Sequence, residues 1–343
     1  MKKCNTCIIF GGKSAEYEVS LQSAYFALTS IDTSAFDVTC IGIARDGKWY
    51  FYKGEASKIL NDSWQDTRLI SPVSFDFSRG CFIYDGKDYA PDIIFPIMHG
   101  DFAEDGKIQG LFDMMGLKYV GCDQASSIFC YNKHLTKEIA RGLGIPVARD
   151  ISVTRECLDD FFWIIVKANK LSFPVFVKPS ASGSSVGATL VERPCLLYSA
   201  VENALNYSSC VLIEERIQGE ECEIGVIYNK GCIMLSPIGK ISYDSPFYDY
   251  DTKYHTGKTT YEIPAKISSV AEGKIESYAR ALFLKLGCSS LARIDFFVRG
   301  DEVIFNEINT MPGMTGSSML PMLFKERGIF APELMTIILK NKY

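Results

Sequence analysis

LARIDFFVRGDEVIFNEIN, residues 291–309, is the most informative stretch of this chain for its structure. Two apolar-rich runs flank a short polar segment, Arg299 to Asp301, which predicts two antiparallel strands joined by a hairpin turn. Side chains alternate between the two faces of a strand, so the length of the loop decides which residues of the two strands share a face. We expect a three-residue loop, Gly300 to Glu302.

With that loop, four polar side chains meet on one surface of the predicted hairpin. Asp295 falls opposite Glu307, and Arg293 falls opposite Asn309. Two carboxylates and an amide offer oxygen ligands to a hard divalent ion that water and phosphates complete, and the adjacent guanidinium can hold a developing anion. A two-residue loop would place the carboxylates on opposite faces and abolish the site. An exposed salt-bridged face is the simpler alternative, but both strands are otherwise apolar, which favours the metal site.

A second candidate site lies in KPSASGSSVG, residues 178–187. A predicted buried strand, 174–179, leads directly into this hydroxyl- and glycine-rich loop. Its backbone N–H groups can fold over phosphate oxygens while Lys178 supplies a positive charge. The spacing matches neither a P-loop nor a dinucleotide-binding fingerprint. We predict a triphosphate site, with a flexible surface turn as the alternative. The acidic run 214–223 is a weaker candidate for contacts to adenine and ribose, because such runs are usually solvated.

A third candidate site lies in GGKSAEYE, residues 11–18, directly after the predicted first strand. In the first 120 residues, short apolar runs alternate with helical patterns, which predicts an α/β layer with a parallel sheet. The paired glycines permit a sharp turn and Ser14 can cap the following helix, at the edge where α/β sheets bind ligands. From this segment alone, a capped helix with two surface glutamates is favoured over a carboxylate that binds a substrate ammonium.

Composition and charge exclude several classes of protein. The 343 residues include 36 Lys and Arg and 41 Asp and Glu, a formal net charge of −5, without a basic block, which argues against a nucleic-acid binder. No apolar stretch reaches the roughly 20 residues of a membrane span, and the first apolar run is too short for a signal peptide. The 12 cysteines are scattered, with one lone CxxC at Cys4–Cys7, and there are three histidines. We expect a cytoplasmic protein without a Cys/His metal site and without nucleic-acid or membrane partners.

Taken in chain order, these segments resemble the D-alanine–D-alanine ligase family, which has the ATP-grasp fold. The resemblance spans essentially the whole chain and includes three motifs: GGKSAEYEVSL at 11–21, MHGDFAEDGKIQG at 98–110 and NTMPGMT at 309–315. It implies an α/β protein with an N-terminal parallel α/β domain at 1–121 and two α+β domains that clasp ATP. We place these at 122–212 and 213–343, with a lid loop at 242–260.

The resemblance also implies an activity and a role for individual residues. The enzyme would phosphorylate one D-alanine with ATP and let the amine of a second D-amino acid attack the acyl phosphate, giving a peptidoglycan precursor, ADP and phosphate. Glu16 would bind the first ammonium, and Arg293 with the Gly313 N–H would form an oxyanion hole. The residues implied as catalytic are Glu16, Ser184, Tyr254, Arg293 and Gly313. Substrate contacts are implied for His99, Ser318 and Met319. ATP contacts are implied for Lys133, Lys178, Glu214, Glu221 and Lys253. Mg²⁺, with Mn²⁺ as an alternative ion, would be held by Asp295, Glu307 and Asn309.

Several departures from the family pattern bear on the second substrate. Ala103, Asn132 and Ser182 replace residues usual in the family and look more like the vancomycin-resistance branch, which makes D-alanyl-D-serine or D-alanyl-D-lactate. Met319 is closer to the housekeeping enzymes, and Tyr254 favours an amine nucleophile. We therefore expect D-alanine as the second substrate, with a D-alanine–D-serine ligase as the alternative.

Two further interpretations remain open from the sequence. A degenerate ATP-grasp protein would bind nucleotide without making a peptide bond, and another ATP-grasp ligase would act on a different carboxylate. The intact polar face of the 291–309 hairpin opposes the first, and the joint presence of the 11–21 and 98–110 motifs opposes the second. The family also implies a homodimer formed through the N-terminal domain.

Overall fold

The computed structural model describes residues 2–243 and 259–341, and most of the predicted lid, including Lys253 and Tyr254, lies outside the described residues. The helices described are α1 (Tyr17–Ser30), α2 (Ala56–Leu60), α3 (Lys107–Met114), α4 (Gln124–Tyr131), α5 (Lys133–Gly142), α6 (Phe161–Asn169), α7 (Leu197–Ala204), α8 (Ser269–Lys285), α9 (Met319–Glu326) and α10 (Ala331–Lys340), with short 3₁₀ turns at Arg155–Asp160 and Pro194–Leu196. The strands are β1 (Cys4–Gly11), β2 (Phe36–Ile43), β3 (Trp49–Tyr52), β4 (Ile70–Pro72), β5 (Ser74–Asp76), β6 (Cys81–Tyr84), β7 (Lys87–Tyr89), β8 (Ile93–Pro96), β9 (Asp150–Thr154), β10 (Val175–Pro179), β11 (Thr189–Val191), β12 (Cys210–Glu215), β13 (Glu220–Asn229), β14 (Cys232–Ser242), β15 (Thr260–Glu262), β16 (Leu291–Arg299) and β17 (Glu302–Asn309).

The N-terminal sheet has the order β4-β3-β2-β1-β8, and a separate three-stranded sheet, β5-β6-β7, lies in the same part of the chain. β1 is parallel to β2 and to β8, as predicted, but β3 and β4 are antiparallel. The prediction of a parallel sheet is therefore wrong for these two strands. The connection from Ala44 to Lys48 is too short for the crossover that a parallel neighbour of β2 would need.

Helix α1 is fixed to the carboxyl ends of two parallel strands. The Ser20 hydroxyl accepts the Gly11 N–H at 2.8 Å and donates to the Ile97 carbonyl oxygen at 2.5 Å. Tyr17, Leu21 and other apolar side chains of the helix are buried against the sheet. The loop that precedes α1 is therefore held at the sheet edge where the polar motifs of the N-terminal part converge.

The central sheet is antiparallel, with the order β11-β10-β12-β9. Val175 and Val177 of β10 are buried in a core with residues of α6 and α7, whereas Phe176 and Lys178 alternate with them and lie on the other face. β12 belongs to this sheet and continues to Glu215, past the boundary that we predicted at residue 212. The domain limits themselves stay predictions.

The C-terminal sheet has the order β15-β14-β13-β16-β17, and all of its strands are antiparallel to their neighbours. The predicted three-residue hairpin loop is wrong, because Arg299 pairs with Glu302 and only two residues form the turn. Asp295 nevertheless pairs with Glu307, as predicted. A β-bulge makes up the difference: Asn306 is the extra residue between the Phe296–Phe305 and Asp295–Glu307 pairs.

Helices from different parts of the chain cover the C-terminal sheet. The sequence predicts a helix over 271–286, and α8 closely matches it. This helix packs on the sheet together with residues of α4 and α5. α9 packs against β13 and β14, where Gly225 and Gly239 leave room for the side chains of Leu320 and Met319. Among the described helices, none combines the length and the apolar character needed to cross a membrane.

Candidate active site

A cavity of about 1100 Å³ lies where the N-terminal, central and C-terminal sheets meet. Every predicted site residue in the described part of the chain lines it: Glu16, His99, Lys133, Lys178, Ser184, Glu214, Glu221, Arg293, Asp295, Glu307, Asn309, Gly313, Ser318 and Met319. The positions of Lys253 and Tyr254 stay predictions. The motifs at 11–21, 98–110 and 309–315 are far apart in sequence, and the fold brings residues of all three to this cavity.

Glu16 and Ser184 join the N-terminal and central parts of the chain. The Ser184 hydroxyl donates to Glu16 Oε1. Two glycines permit this approach, since a Cβ atom added at Gly100 or at Gly183 would lie 2.3 Å or 2.5 Å from Glu16 Oε2. Ser184 itself has a φ of 47°, in the left-handed region that is unfavourable for a residue with a side chain. The loop is thus held in a strained conformation directly beside the carboxylate.

Ser14 does not cap α1, contrary to the prediction. The helix begins at Tyr17, and the Ser14 hydroxyl instead accepts the Glu16 N–H at 3.1 Å and donates to the His99 carbonyl oxygen at 2.7 Å. The physical reason is that the turn after the glycines extends further than expected. Ser14 therefore orders the loop that carries Glu16 rather than the first turn of the helix.

His99 is 3% exposed and connects the N-terminal part to the loop 310–315. Its Nδ1 is 2.8 Å from the Met311 carbonyl oxygen, and its Nε2 is 3.0 Å from Ser23 Oγ. Because a carbonyl oxygen only accepts hydrogen bonds, the proton of the ring is on Nδ1. Burial lowers the pKa of the His99 ring and favours its neutral form. In that form, Nε2 accepts a hydrogen bond from the Ser23 hydroxyl. Both ring nitrogens are therefore engaged by protein groups, which indicates that His99 positions this loop. Direct contact with substrate stays a prediction.

Glu104 is a site residue that the sequence prediction missed, although it belongs to the 98–110 motif. Its two oxygens accept the Gly100 N–H at 3.0 Å and the Met311 N–H at 3.1 Å. Burial, together with the nearby charge of Glu16, raises the pKa of the Glu104 carboxyl to about 7. The signal in the sequence was its place in the motif that also contains His99.

Arg293 is bound by two carboxylates in the cavity wall. Its Nε and Nη2 donate to the two oxygens of Asp295, each at 2.8 Å, and Glu223 Oε2 lies 2.9 Å from Nε. Burial alone would lower the pKa of this guanidinium, but the charges of Asp295 and Glu223 outweigh it and raise the pKa. Asn309 Nδ2 donates to Asp295 Oδ2 at 3.0 Å. Arg293 is thus a fixed positive charge. Glu223 is the last residue of the acidic run 214–223, and the sequence prediction missed its pairing with Arg293.

Lys133 connects the glycine- and serine-rich loop to Glu307 on β17. Its Nζ donates to the Ser182 carbonyl oxygen at 2.8 Å and lies 3.3 Å from Glu307 Oε2. The sequence from about residue 125 predicts one helix that carries Lys133, but the structure has two, α4 and α5. Asn132 separates them and accepts the Leu135 N–H at 3.2 Å through its side chain, which makes Lys133 the first residue of α5.

Glu214 is buried and is engaged by two lysines. Lys178 Nζ lies 2.8 Å from its Oε2, and Lys137 Nζ lies 2.7 Å from its Oε1. Burial would raise the pKa of Glu214, but the two lysines lower it to about 2. The same carboxylate raises the pKa of Lys178 against the effect of burial. Glu214 therefore holds Lys178 in this structure, and its predicted contact with adenosine stays a prediction.

The remaining predicted residues lie at the ends of the C-terminal strands and in the loop before α9. Glu221 accepts from the Tyr243 hydroxyl at 2.5 Å. Ser318 Oγ accepts the Thr315 N–H at 3.0 Å, which closes the turn beside Gly313. Met319 is 4% exposed and packs with Ile241 and Leu323.

The paired face of β16 and β17 offers donors that suit a hard divalent ion without completing its coordination. Asp295 and Glu307 lie opposite each other, and Asn309 is beside them. Within 2–243 and 259–341, no group of three or more His, Cys, Asp or Glu side chains is arranged to hold a metal ion by itself. This donor set fits Mg²⁺, which usually binds one or two carboxylates together with water and substrate phosphates.

Comparisons with known proteins agree over nearly the whole chain. Residues 5–122 match the family model described as D-ala D-ala ligase N-terminus, and residues 139–340 match the one described as D-ala D-ala ligase C-terminus. The chain is 41% identical to the D-alanine--D-alanine ligase of Acetivibrio thermocellus, over 97% of this chain and 94% of that protein. It is 39% identical to vancomycin C-type resistance protein VanC1 of Enterococcus gallinarum, over 96% and 95%. The solved structure of VanG D-Ala:D-Ser ligase from Enterococcus faecalis matches with a TM-score of 0.91 at 35% identity, over 100% of both chains.

Proposed function

This chain belongs to the D-alanine–D-alanine ligase family, and on that premise we propose that it joins two D-alanine molecules by a peptide bond, converting ATP to ADP and phosphate. Its fold is the ATP-grasp fold of these ligases. The product would be a precursor for peptidoglycan. The VanG D-Ala:D-Ser ligase is among the matches, but relatives named D-alanine--D-alanine ligase match as well, so the D-alanine–D-serine alternative is not favoured over this function.

The proposal rests on one observation: a single cavity contains three kinds of group that the reaction needs. Glu16 supplies a carboxylate for an ammonium, Lys133 and Lys178 supply positive charge for phosphates, and the β16–β17 face supplies oxygen ligands for a divalent ion. A simple nucleotide-binding protein has no need of the carboxylate near the N-terminus of α1. Its hydrogen bond from Ser184 connects the ammonium site directly to the loop that we predict folds over phosphates.

In the proposed reaction, the carboxylate of the first D-alanine attacks the γ-phosphorus of ATP and ADP leaves. The amine of the second D-alanine then attacks the carbonyl carbon of the acyl phosphate, and inorganic phosphate leaves. Glu16 orients the first substrate through its ammonium. Arg293 keeps its charge throughout, so it can stabilise the oxyanion that develops on the carbonyl oxygen. The Gly313 N–H is the second proposed donor, and no described residue accepts a hydrogen bond from it.

Asp295, Glu307 and Asn309 are the residues that would hold Mg²⁺, or Mn²⁺ in its place. When bound there, the ion would neutralise phosphate charge as it develops. In the structure, both oxygens of Asp295 already accept from Arg293 and one also accepts from Asn309. These hydrogen bonds fix the orientation of the Asp295 carboxylate on the strand face that it shares with Glu307.

Product identification by mass spectrometry tests the proposed function directly. The purified chain would be incubated with ATP, Mg²⁺ and equimolar D-alanine and D-serine near neutral pH. We expect mostly D-alanyl-D-alanine. A mixture dominated by D-alanyl-D-serine would support the alternative, and bound ATP without any dipeptide would contradict both.

A pair of substitutions in β17 tests the metal assignment. Glu307→Gln should abolish Mg²⁺-dependent turnover while the thermal unfolding temperature stays close to that of the wild type. Glu302→Gln is the matched control, because Glu302 lies on the same strand, is exposed and pairs with Arg299 near the turn. Full activity of Glu307→Gln would remove this residue from the metal site.

A further inference from the structure

Five charged side chains of alternating sign run from the cavity into the interior. In order they are Lys178, Glu214, Lys137, Asp150 and Arg141. Lys137 Nζ lies 3.1 Å from Asp150 Oδ2, and Asp150 Oδ1 accepts from Arg141. Arg141 and Asp150 line a second pocket, which shares no lining residue with the main cavity. Arg141 also pairs with Glu138, whose side chain is 54% exposed, so the series of ion pairs ends at the protein surface.

The middle members of this chain are buried and do not reach the main cavity. The Lys137 side chain is 2% exposed and that of Asp150 is 5% exposed. Neither residue is among those that line the main cavity. Burying charges is expensive even when they are paired, so their presence behind Lys178 calls for a physical reason other than direct contact with a ligand.

We propose that Lys137 and Asp150 are positioning residues that set how much positive charge Lys178 presents to the phosphates of ATP. This inference rests on the proposed function. If Glu214 were paired with Lys178 alone, its carboxylate would compensate most of the lysine charge. Lys137 takes a share of the Glu214 charge through Oε1, which leaves Lys178 with a surplus that can attract phosphate. Asp150 also pairs with Lys137 and so reduces the share of the Lys137 charge that is available to Glu214.

Because the charges alternate, neutralising neighbouring members should change ATP binding in opposite directions. Lys137→Met leaves the whole Glu214 charge to Lys178, so the affinity for Mg²⁺·ATP should fall by about tenfold or more. Asp150→Asn leaves Lys137 to Glu214 alone, so the affinity for Mg²⁺·ATP should increase. Both substitutions leave buried charges with fewer partners, so both should lower the thermal unfolding temperature. Loss of stability therefore cannot account for opposite changes in affinity.

The experiment is calorimetric titration of the full chain with a non-hydrolysable ATP analogue and Mg²⁺, combined with steady-state KM values for ATP and D-alanine. Lys137→Met should raise the Kd of the analogue and the KM for ATP while the KM for D-alanine changes little. Lys137→Arg keeps the charge and should recover most of the lost affinity. Lys285→Met is the matched control, since Lys285 is exposed on α8 and does not line the cavity.

Two results would overturn the proposal. One is an unchanged Kd for the analogue in Lys137→Met, and the other is a loss of affinity in Asp150→Asn comparable to that in Lys137→Met. If Lys137→Met does not fold, Asp150→Asn decides the sign by itself: an increase in affinity supports the proposal and a decrease contradicts it. If the wild type and Lys285→Met both fail to bind the analogue, the proposed function has failed and this inference fails with it, a pattern distinct from failure in the Lys137 and Asp150 variants alone.

Discussion

Gly183→Ala should displace the carboxylate of Glu16 and reduce ligase activity without unfolding the protein. Gly183 has no positive φ, so its backbone tolerates alanine. The added Cβ, however, would lie 2.5 Å from Glu16 Oε2 and 3.4 Å from Gly100 Cα. The Glu16 side chain is the part that can move, and its movement breaks the hydrogen bond from Ser184. A hydrogen bond to a charged group contributes about 1.5–3 kcal/mol, which corresponds to a loss of roughly 10- to 150-fold in kcat/KM.

The assay is ADP release at saturating ATP as a function of D-alanine concentration, with thermal unfolding measured in parallel. Gly273→Ala is the matched control, because an added Cβ there meets nothing within 4 Å and the residue lies in the second turn of α8. The control should keep wild-type activity and be somewhat more stable, since alanine favours a helix over glycine by about 1 kcal/mol.

A double-mutant cycle separates this explanation from a general disturbance of the loop. Ser184→Ala removes the same hydrogen bond without adding bulk, so Gly183→Ala should cost little further activity in that background. Wild-type kcat/KM in Gly183→Ala would refute the reasoning, as would losses in the two single variants that simply multiply in the double variant.

Two other substitutions test individual groups in the cavity. Because folding raises the pKa of Glu104 from 4.5 to about 7, the unfolding free energy should fall by about 3 kcal/mol as the pH rises through this interval. Denaturation in urea between pH 4 and 8 should show this decrease in the wild type relative to Glu104→Gln, and parallel curves would contradict it. Met319→Arg should shift the product away from D-alanyl-D-alanine when D-alanine and D-serine compete, with Met114→Arg at a 74% exposed position as the control. An unchanged product ratio would remove Met319 from the second-substrate pocket.

The hairpin at 291–309 shows how far a local pattern can be trusted. The alternation of polar and apolar residues correctly predicted the two strands. The predicted Asp295–Glu307 pair is present, although the loop length from which we predicted it is wrong. The assumed loop length was wrong because a bulge is not visible in the alternation pattern. Asn306 is an extra residue within the strand, and it compensates for a turn that is one residue shorter than expected.

Positioning residues were the other part of the site that the sequence did not reveal. Each of these residues contacts a partner that is distant in the chain: Glu104 contacts Met311, Lys137 contacts Glu214 and Glu223 contacts Arg293. No local spacing in the sequence therefore identifies them. Lys137 left a faint signal, since it follows Lys133 by one helical turn and therefore shares its side of α5. Lysines at this spacing usually lie on the exposed face of a helix. Here the packing of α5 against its neighbours buries Lys137.

By itself, the sequence determined the α/β fold class, the family and the residue types that meet in the cavity, because strand alternation and rare motifs are local properties of the chain. Only the tertiary structure decided which charged groups are paired and how burial changes their pKa values. Glu214 is ionised because two lysines surround it, whereas the carboxyl of Glu104 has a pKa raised to about 7 because it is buried near Glu16. Both pKa values depend on distances between residues that are far apart in sequence, and the folded chain sets those distances.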